Sequence, residues 1–145
     1  MKNQNDLRMD GYRYQREKSP LHIKSYEFAV RIINMVKYID CEPKIYSLTN
    51  QIFRSGTAVG ALVREAEFAQ SPADFINKLH ISLKECNETC YWLTLLKDTG
   101  YINEQEYDSM ADDCNELIAI LVSSIKTAKK RNNKTNEAEN GEKTI

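Results

Sequence analysis

The chain has 145 residues, of which 41% are hydrophobic and 28% charged. This length and composition suit one globular domain with a single sizeable core, and they leave no room for a second domain. The formal net charge of -1 and the pI near 6.1 exclude a global attraction to DNA, RNA or an anionic membrane, so such a contact needs a local patch. No apolar run is long enough to span a bilayer, and residues 1–19 lack the apolar centre of a signal peptide, so we expect a cytoplasmic protein.

An apolar 3-4 spacing recurs along the chain and predicts the seam of a helical bundle. The spacing occurs in four groups: Ile32, Met35 and Ile39; Ile45, Leu48 and Ile52; Ile76, Leu79 and Leu83; and Cys114, Leu117 and Leu121. Because short connections make consecutive helices antiparallel neighbours, we predict an all-α, up-down-up-down four-helix bundle over residues 20–130. Residues 1–19 and 131–145 are polar and are predicted to be flexible tails.

The first helix is predicted over residues 23–40 and is followed by a turn at residues 41–43. Pro43 suits the first turn of the second helix, because the N–H that proline lacks would have no intrahelical partner there. The second helix is expected to reach Ala69.

The third and fourth helices have clear start signals. Ser71, Pro72 and Asp74 supply a hydroxyl cap, a proline at the first helical position and a carboxylate near the positive end of the helix dipole. This helix is predicted to end near Thr99, with Gly100 as its left-handed cap. Asn103 should cap the fourth helix, with Glu106 completing a capping box.

Two glycines within the second helix need an explanation, because each costs roughly 1 kcal/mol relative to alanine. Gly56 and Gly60 lie four residues apart on one face, beside Ala61, so close helix packing is the favoured interpretation. A phosphate-binding loop is disfavoured because no strand precedes the glycines and no Gly-Lys-Ser or Gly-Lys-Thr follows them.

A set of cations is a candidate contact for nucleic acid or another partner, since arginine and lysine can neutralise phosphates. For the two cations in the second helix, solvated or interhelical pairing is the alternative. For the cluster that ends the fourth helix, the alternative is a charge distribution that complements the helix dipole, with acidic residues in its first half. The candidates are Arg54, Arg64, Lys126, Lys129, Lys130 and Arg131.

The cysteines are predicted to be thiols rather than disulfides, because their spacing matches neither a secreted framework nor a paired zinc motif. Cys86, Cys90 and Cys114 occupy the apolar seam. Burial should raise the pKa of Cys86 and Cys90, and Cys90 should lie near Cys114. A metal or thiol enzyme built on these three residues is the alternative. Neither histidine follows a glutamate by three positions, as di-iron bundles require. We therefore predict no catalytic residue, no metal site and no cofactor.

The order of several short motifs resembles a bacterial four-helix-bundle family first noticed as reading frames within intervening sequences of 23S ribosomal RNA genes. The matching motifs lie at residues 51–61, 64–66, 73–79, 83–85, 88–89, 91–93 and 99–101. The resemblance implies a cytoplasmic bundle that assembles as a ring-shaped homopentamer and has no established enzymatic activity. It also implies distant kinship with the accessory variability determinant proteins of diversity-generating retroelements, which are basic and bind nucleic acid. The acidic balance here departs from those relatives.

The apolar stripes of the first and fourth helices are wider than one core requires, and exposed apolar patches commonly mark protein contacts. Self-association is therefore expected. Our preferred interpretation is a non-catalytic bundle that acts by assembly and presents a surface to a macromolecule, with RNA or a ribonucleoprotein as the candidate partner. The alternatives are a nucleic-acid-binding accessory protein and, less favoured, the metal or thiol enzyme.

Overall fold

The computed structural model describes residues 19–39 and 45–143, and within these ranges it consists of four helices without a strand. The helices are α1 (Pro20–Ile39), α2 (Tyr46–Ala66), α3 (Pro72–Asp98) and α4 (Glu104–Glu142). Helices that follow one another pack side by side, and α4 packs against α1 to close the bundle. The all-α four-helix bundle predicted from the apolar spacing is confirmed.

The bounds of α1 and α2 differ slightly from the predicted ones. Proline is favoured at a first helical position, and α1 begins at Pro20, three residues before the predicted start. The chain leaves α2 after Ala66, where the N–H groups of Phe68 and Ala69 donate to carbonyls three residues earlier. The predicted turn at residues 41–43 lies outside the described residues.

Both predicted helix caps are confirmed. The Ser71 hydroxyl accepts a hydrogen bond from the Asp74 N–H at 3.1 Å, and Asn103 Oδ1 accepts one from the Glu106 N–H at 2.8 Å. At the end of α3, Gly100 has a φ of 83°, a left-handed conformation that glycine adopts without steric cost. The start of α3, its end at Gly100 and the start of α4 are therefore each determined by residues next to the helix end.

The fourth helix is longer than the sequence predicts. It continues to Glu142, so residues 131–142, expected as a polar tail, are helical and almost entirely exposed. Once a helix has formed, each further residue adds one backbone hydrogen bond, and no proline interrupts this segment. The polar segment is solvated, as its composition indicates, but it is an extension of α4.

The core consists mainly of the predicted seam residues, but in α3 it also includes two residues with small hydroxyl side chains. Phe28, Ile32, Ile52 and Leu93 are fully buried, together with many other seam residues of all four helices. Ser82 and Thr89 are buried as well, whereas the predicted core residues Leu83 and Cys90 are only half-buried. The buried hydroxyls are satisfied by hydrogen bonds to α2: Ser82 to the Val59 carbonyl and Thr89 to the Ser55 hydroxyl, both at 2.9 Å.

The two glycines of α2 lie where α1 approaches most closely. A Cβ atom on Gly56 would be 2.7 Å from Ile32 Cγ1, and one on Gly60 would be 3.2 Å from the Ser25 carbonyl oxygen. Ala61 is exposed and is not part of this contact, because one residue further along a helix points about 100° away. The absence of a side chain at these two glycines therefore sets the distance between α1 and α2.

In the described parts of the chain, no helix has both the length and the apolar character that a bilayer crossing requires.

Candidate functional site

A group of cations lies on the C-terminal half of α4. We call Lys126, Lys129, Lys130, Arg131 and Lys134 the basic segment; all five side chains are exposed. Lys126, Lys130 and Lys134 repeat every four residues and so form one row about 12 Å long. The buried residues of this part of α4, Leu121 and Ile125, point away from that row, toward the core.

The basic segment is not neutralised by its surroundings. The sequence has no carboxylate between residues 117 and 136. Among the described residues, no salt bridge involves any cation of the segment. Five positive charges are therefore displayed together at one end of a protein whose net charge is close to zero.

The first half of α4 is acidic, and two of its carboxylates form ion pairs with cations of α1. Lys24 pairs with Glu116 at 2.5 Å, and Arg31 pairs with Asp113 and donates to the Ser109 hydroxyl at 2.8 Å. The hydrogen bond to Glu116 is the main reason that the pKa of Lys24 is raised. The acidic half of α4 thus has a structural role, and the basic half has no equivalent contact among the described residues.

Arg54, a predicted contact residue, lies between two carboxylates of α3. Its guanidinium is 2.8 Å from Glu88 Oε1 and 3.3 Å from Glu85 Oε1, and the Trp92 indole N–H also donates to Glu88, at 3.1 Å. The hydrogen bond with Glu88, and then the charge of Glu85, raise the pKa of Arg54. The interhelical pairing weighed as the alternative is therefore present, and it compensates the charge of Arg54.

Arg64 is exposed on α2, beside a shallow groove of about 600 Å³ that Phe68, Asp74 and Lys78 also line. In the described structure α2 does not contact α4, because the two helices lie on opposite corners of the bundle. The structure therefore brings the predicted cations Lys126, Lys129, Lys130 and Arg131 together and leaves Arg54 and Arg64 apart from them. Lys134 joins the first group only because α4 continues past residue 130.

Large apolar side chains are exposed on the outer faces of α1 and α2. Tyr38 of α1 is 71% exposed, and Phe68, just after the end of α2, is 77% exposed. Tyr46 and Phe53, seven residues apart, lie on one side of α2, and Tyr26 and Val30 lie one turn apart on α1. These two neighbouring helices therefore carry most of the exposed aromatic surface of the described bundle.

The three cysteines of the helices are close together. The Cys86 thiol donates to the Cys114 carbonyl oxygen at 3.6 Å, and Cys90 lies one turn after Cys86 on α3. Cys86 and Cys114 are buried and Cys90 is half-buried. The neighbouring Cys114 and then Cys86 lower the pKa of Cys90, contrary to the rise expected from an apolar stripe, whereas the pKa of Cys86 is raised to about 12, as predicted. The described residues contain no group of metal-binding side chains arranged to hold an ion.

The family described as 23S rRNA-intervening sequence protein matches residues 17–123. The chain belongs to this family. A crystal structure of a protein with unknown function from the S23 ribosomal protein family of Bacteroides thetaiotaomicron VPI-5482 is 54% identical in sequence, with a TM-score of 0.71. The similarity covers 73% of this chain and 98% of that one. No curated protein matches the chain.

The region shared with the 23S rRNA-intervening sequence family comprises the bundle but not the basic segment. The family match ends at residue 123, and the first cation of the segment is Lys126. The glycine contact, the ion pairs of Arg54 with Glu85 and Glu88, and the apolar core except Ile125 lie within the matched region. The concentration of positive charge on α4 is therefore a feature of this chain beyond the family match.

Proposed function

We propose that this protein is a non-catalytic, self-assembling helical bundle that binds RNA through the basic segment of α4. The observation that carries the proposal is five exposed cations on one helical segment, none of them paired with a carboxylate among the described residues. Polyanions are the partners that such a segment attracts most strongly. The acidic first half of α4 disfavours polyanions, so it directs RNA toward the C-terminal half.

Binding of this kind is electrostatic and depends on salt. Each phosphate that a cation neutralises releases counterions, which gives a slope of about -0.7 in log K against log salt for a single strand. Five cations therefore correspond to a slope of about -3 to -4. Because lysines in a row read no base edges, we expect little preference for sequence.

Fluorescence anisotropy of a labelled single-stranded RNA, titrated at several salt concentrations, tests this proposal. The double variant Lys126→Gln/Lys130→Gln removes two of the three cations of the row. It should make the salt slope shallower by about 1.4 and weaken binding at low salt. Neither side chain contributes to the core, so the fold should be retained.

A matched control removes the same amount of charge elsewhere. Lys37 on α1 and Lys84 on α3 are exposed, and Lys37→Gln/Lys84→Gln should leave the salt slope unchanged. Equal losses in the two double variants would mean that net charge, not the basic segment, governs binding. Affinity that does not change with salt would contradict the proposal altogether.

We propose further that the assembly is a homopentamer formed through the outer faces of α1 and α2. A ring needs two different patches on each subunit, one meeting the other on the next copy. The exposed Tyr26 and Val30 of α1 and the exposed Tyr46 and Phe53 of α2 offer two such patches on neighbouring helices. Burial of aromatic side chains is a strong driving force for association.

A further inference from the structure

A groove lies between the start of α3 and the C-terminal half of α4, next to the basic segment. We call it the α3–α4 groove, and its volume is about 250 Å³. It is lined by Pro72 and Phe75 of α3 and by Ala128, Arg131, Asn132 and Thr135 of α4. One cation of the basic segment, Arg131, therefore forms part of the wall of this groove.

Phe75 supplies a flat apolar surface in the α3–α4 groove. Its side chain is half-buried and packs against the core, so its position is fixed while part of it remains accessible. An aromatic ring held in this way is a platform on which a base of RNA can stack, whichever base it is, because every base has a π-face. The groove is smaller than a typical small-molecule pocket of roughly 300–1,000 Å³, so it suits one planar ring rather than a whole ligand.

Asn132 supplies a neutral polar group beside the ring of Phe75. The residue is half-buried, and its side-chain amide makes no hydrogen bond with any residue that the structure describes. The hydroxyl of Thr135, in contrast, is used within α4, where it donates to the Arg131 carbonyl oxygen at 3.1 Å. An amide offers both donors and an acceptor, which can pair with the edge of an unpaired base. The groove therefore combines a stacking surface with a hydrogen-bonding group that is left for a ligand.

The charges around the α3–α4 groove favour a polyanion. Arg131 is exposed and forms no ion pair with the described residues. Asp74 precedes Phe75 on α3, but its carboxylate accepts a hydrogen bond from the Gln70 N–H at 3.2 Å, and it lines the groove on the α2 side of α3 instead of this one. A phosphate next to a base in the α3–α4 groove would therefore meet a cation and no opposing carboxylate.

We propose that the α3–α4 groove holds one unpaired base of a single-stranded RNA, stacked on Phe75, while Arg131 and the rest of the basic segment bind its phosphates. This inference rests on the proposed function, because the basic segment must bring RNA to α4. In a duplex each base is stacked between its neighbours and its pairing edge is occupied, so only a single strand can place a base in the groove. The groove thereby distinguishes single strands from duplexes, which phosphate contacts alone do not.

Phe75→Leu tests the stacking contact. Fluorescence anisotropy at low salt measures the affinity of the full-length chain for a labelled single-stranded RNA and for the duplex of that strand with its complement. Leucine keeps an apolar side chain against the core but removes the aromatic ring, so the fold should be retained. We expect affinity for the single strand to fall about tenfold and affinity for the duplex to stay the same. The salt slope should not change either, because no charge is removed.

Three further variants separate stacking from a structural effect. Phe75→Tyr keeps the ring and should bind the single strand as tightly as the parent chain does. Phe68→Leu is the matched control: it makes the same change at an exposed phenylalanine just after α2, outside the α3–α4 groove, and should leave both affinities unchanged. Asn132→Ala changes a residue outside the core and should weaken binding of the single strand alone, by about threefold. The circular dichroism spectrum of each variant shows whether it is folded.

Failure of the groove proposal and failure of the proposed function would give different results. Equal losses for the single strand and the duplex in Phe75→Leu, or no loss in either Phe75→Leu or Asn132→Ala, would overturn the groove proposal and leave the basic segment as the RNA site. If the parent chain bound neither RNA, or if Lys126→Gln/Lys130→Gln left the salt slope unchanged, the proposed function would be wrong, and the groove proposal with it.

Discussion

At the scale of single residues, the contact between α1 and α2 depends on side chains that are missing. Gly56 faces Ile32, a side chain that is branched at its Cβ atom. This branching restricts rotation about χ1, so the Ile32 side chain cannot easily turn away. The buried hydroxyls of Ser82 and Thr89 also lie near this level of the bundle, where each bonds to α2. Small and hydroxyl side chains therefore place α2 between its two neighbours.

Gly56→Ala tests this contact. The added Cβ would lie 2.7 Å from Ile32 Cγ1, so α1 and α2 must separate. Overpacking of this kind costs about 1–3 kcal/mol, and the higher helix propensity of alanine offsets about 1 kcal/mol. We expect the free energy of unfolding in urea to fall by up to about 2 kcal/mol.

Gly141→Ala serves as the control, because nothing lies within 4 Å of its added Cβ and the position is helical and exposed. It should leave the free energy of unfolding unchanged or raise it by up to about 0.5 kcal/mol. A stabilising effect of Gly56→Ala equal to that of the control would mean that the close approach at Ile32 has no energetic importance.

At the scale of helices, the starts of α3 and α4 could be predicted from residues close in sequence, whereas the end of α4 could not. Ser71 and Asn103 cap their helices through bonds to residues three positions ahead, so the sequence contains all the information. The extension of α4 past residue 130 has no apolar stripe to reveal it, because it packs on almost nothing. Its length follows from the continued backbone ladder and the absence of proline.

In the candidate site, too, a feature formed by residues close in sequence could be predicted, whereas one that depends on how two helices align could not. The cations of α4 are close in sequence, and their clustering on one helix could be predicted directly. The pairing of Arg54 with Glu85 and Glu88 depends on how α2 and α3 align, across more than thirty residues of sequence. Cys114 was predicted to lie near Cys90, because both are equally far from the turn that joins α3 to α4, and the contact that the structure shows for Cys114 is with Cys86, one turn earlier on α3.

Ser71→Ala tests the cap of α3. Loss of the hydrogen bond from the Asp74 N–H should lower the free energy of unfolding by about 1 kcal/mol. Ser47→Ala, at an exposed position in the first turn of α2, should change it by less than about 0.5 kcal/mol. Both are measured in urea at one protein concentration, because the stability of an oligomer depends on concentration. Equal effects of the two substitutions would show that the cap contributes nothing.

At the scale of the whole molecule, the bundle has two surfaces of different character. The outer faces of α1 and α2 carry exposed aromatic side chains, and the C-terminal half of α4 carries unpaired positive charge. Assembly through the aromatic faces should not depend on salt, whereas RNA binding through α4 should weaken steeply as salt rises. A ring of five copies would also multiply the basic segments, so that one RNA could contact several of them at once.

Phe53→Glu tests the first surface, because it places a charge on the outer face of α2 without touching the core. We expect it to reduce the assembly to single chains in sedimentation velocity. Tyr91→Glu is a matched control: Tyr91 is a comparably exposed aromatic residue, but it lies on α3, outside the proposed interface. Dissociation of both variants, or of neither, would place the interface elsewhere.

Light scattering of the purified protein, with and without total cellular RNA, tests the central claim most directly. We predict a mass about five times 16.8 kDa at both about 50 mM and about 200 mM salt, with RNA mass gained only at the lower salt. A mass of one chain that does not change when RNA is added would contradict both the assembly and the RNA-binding proposal.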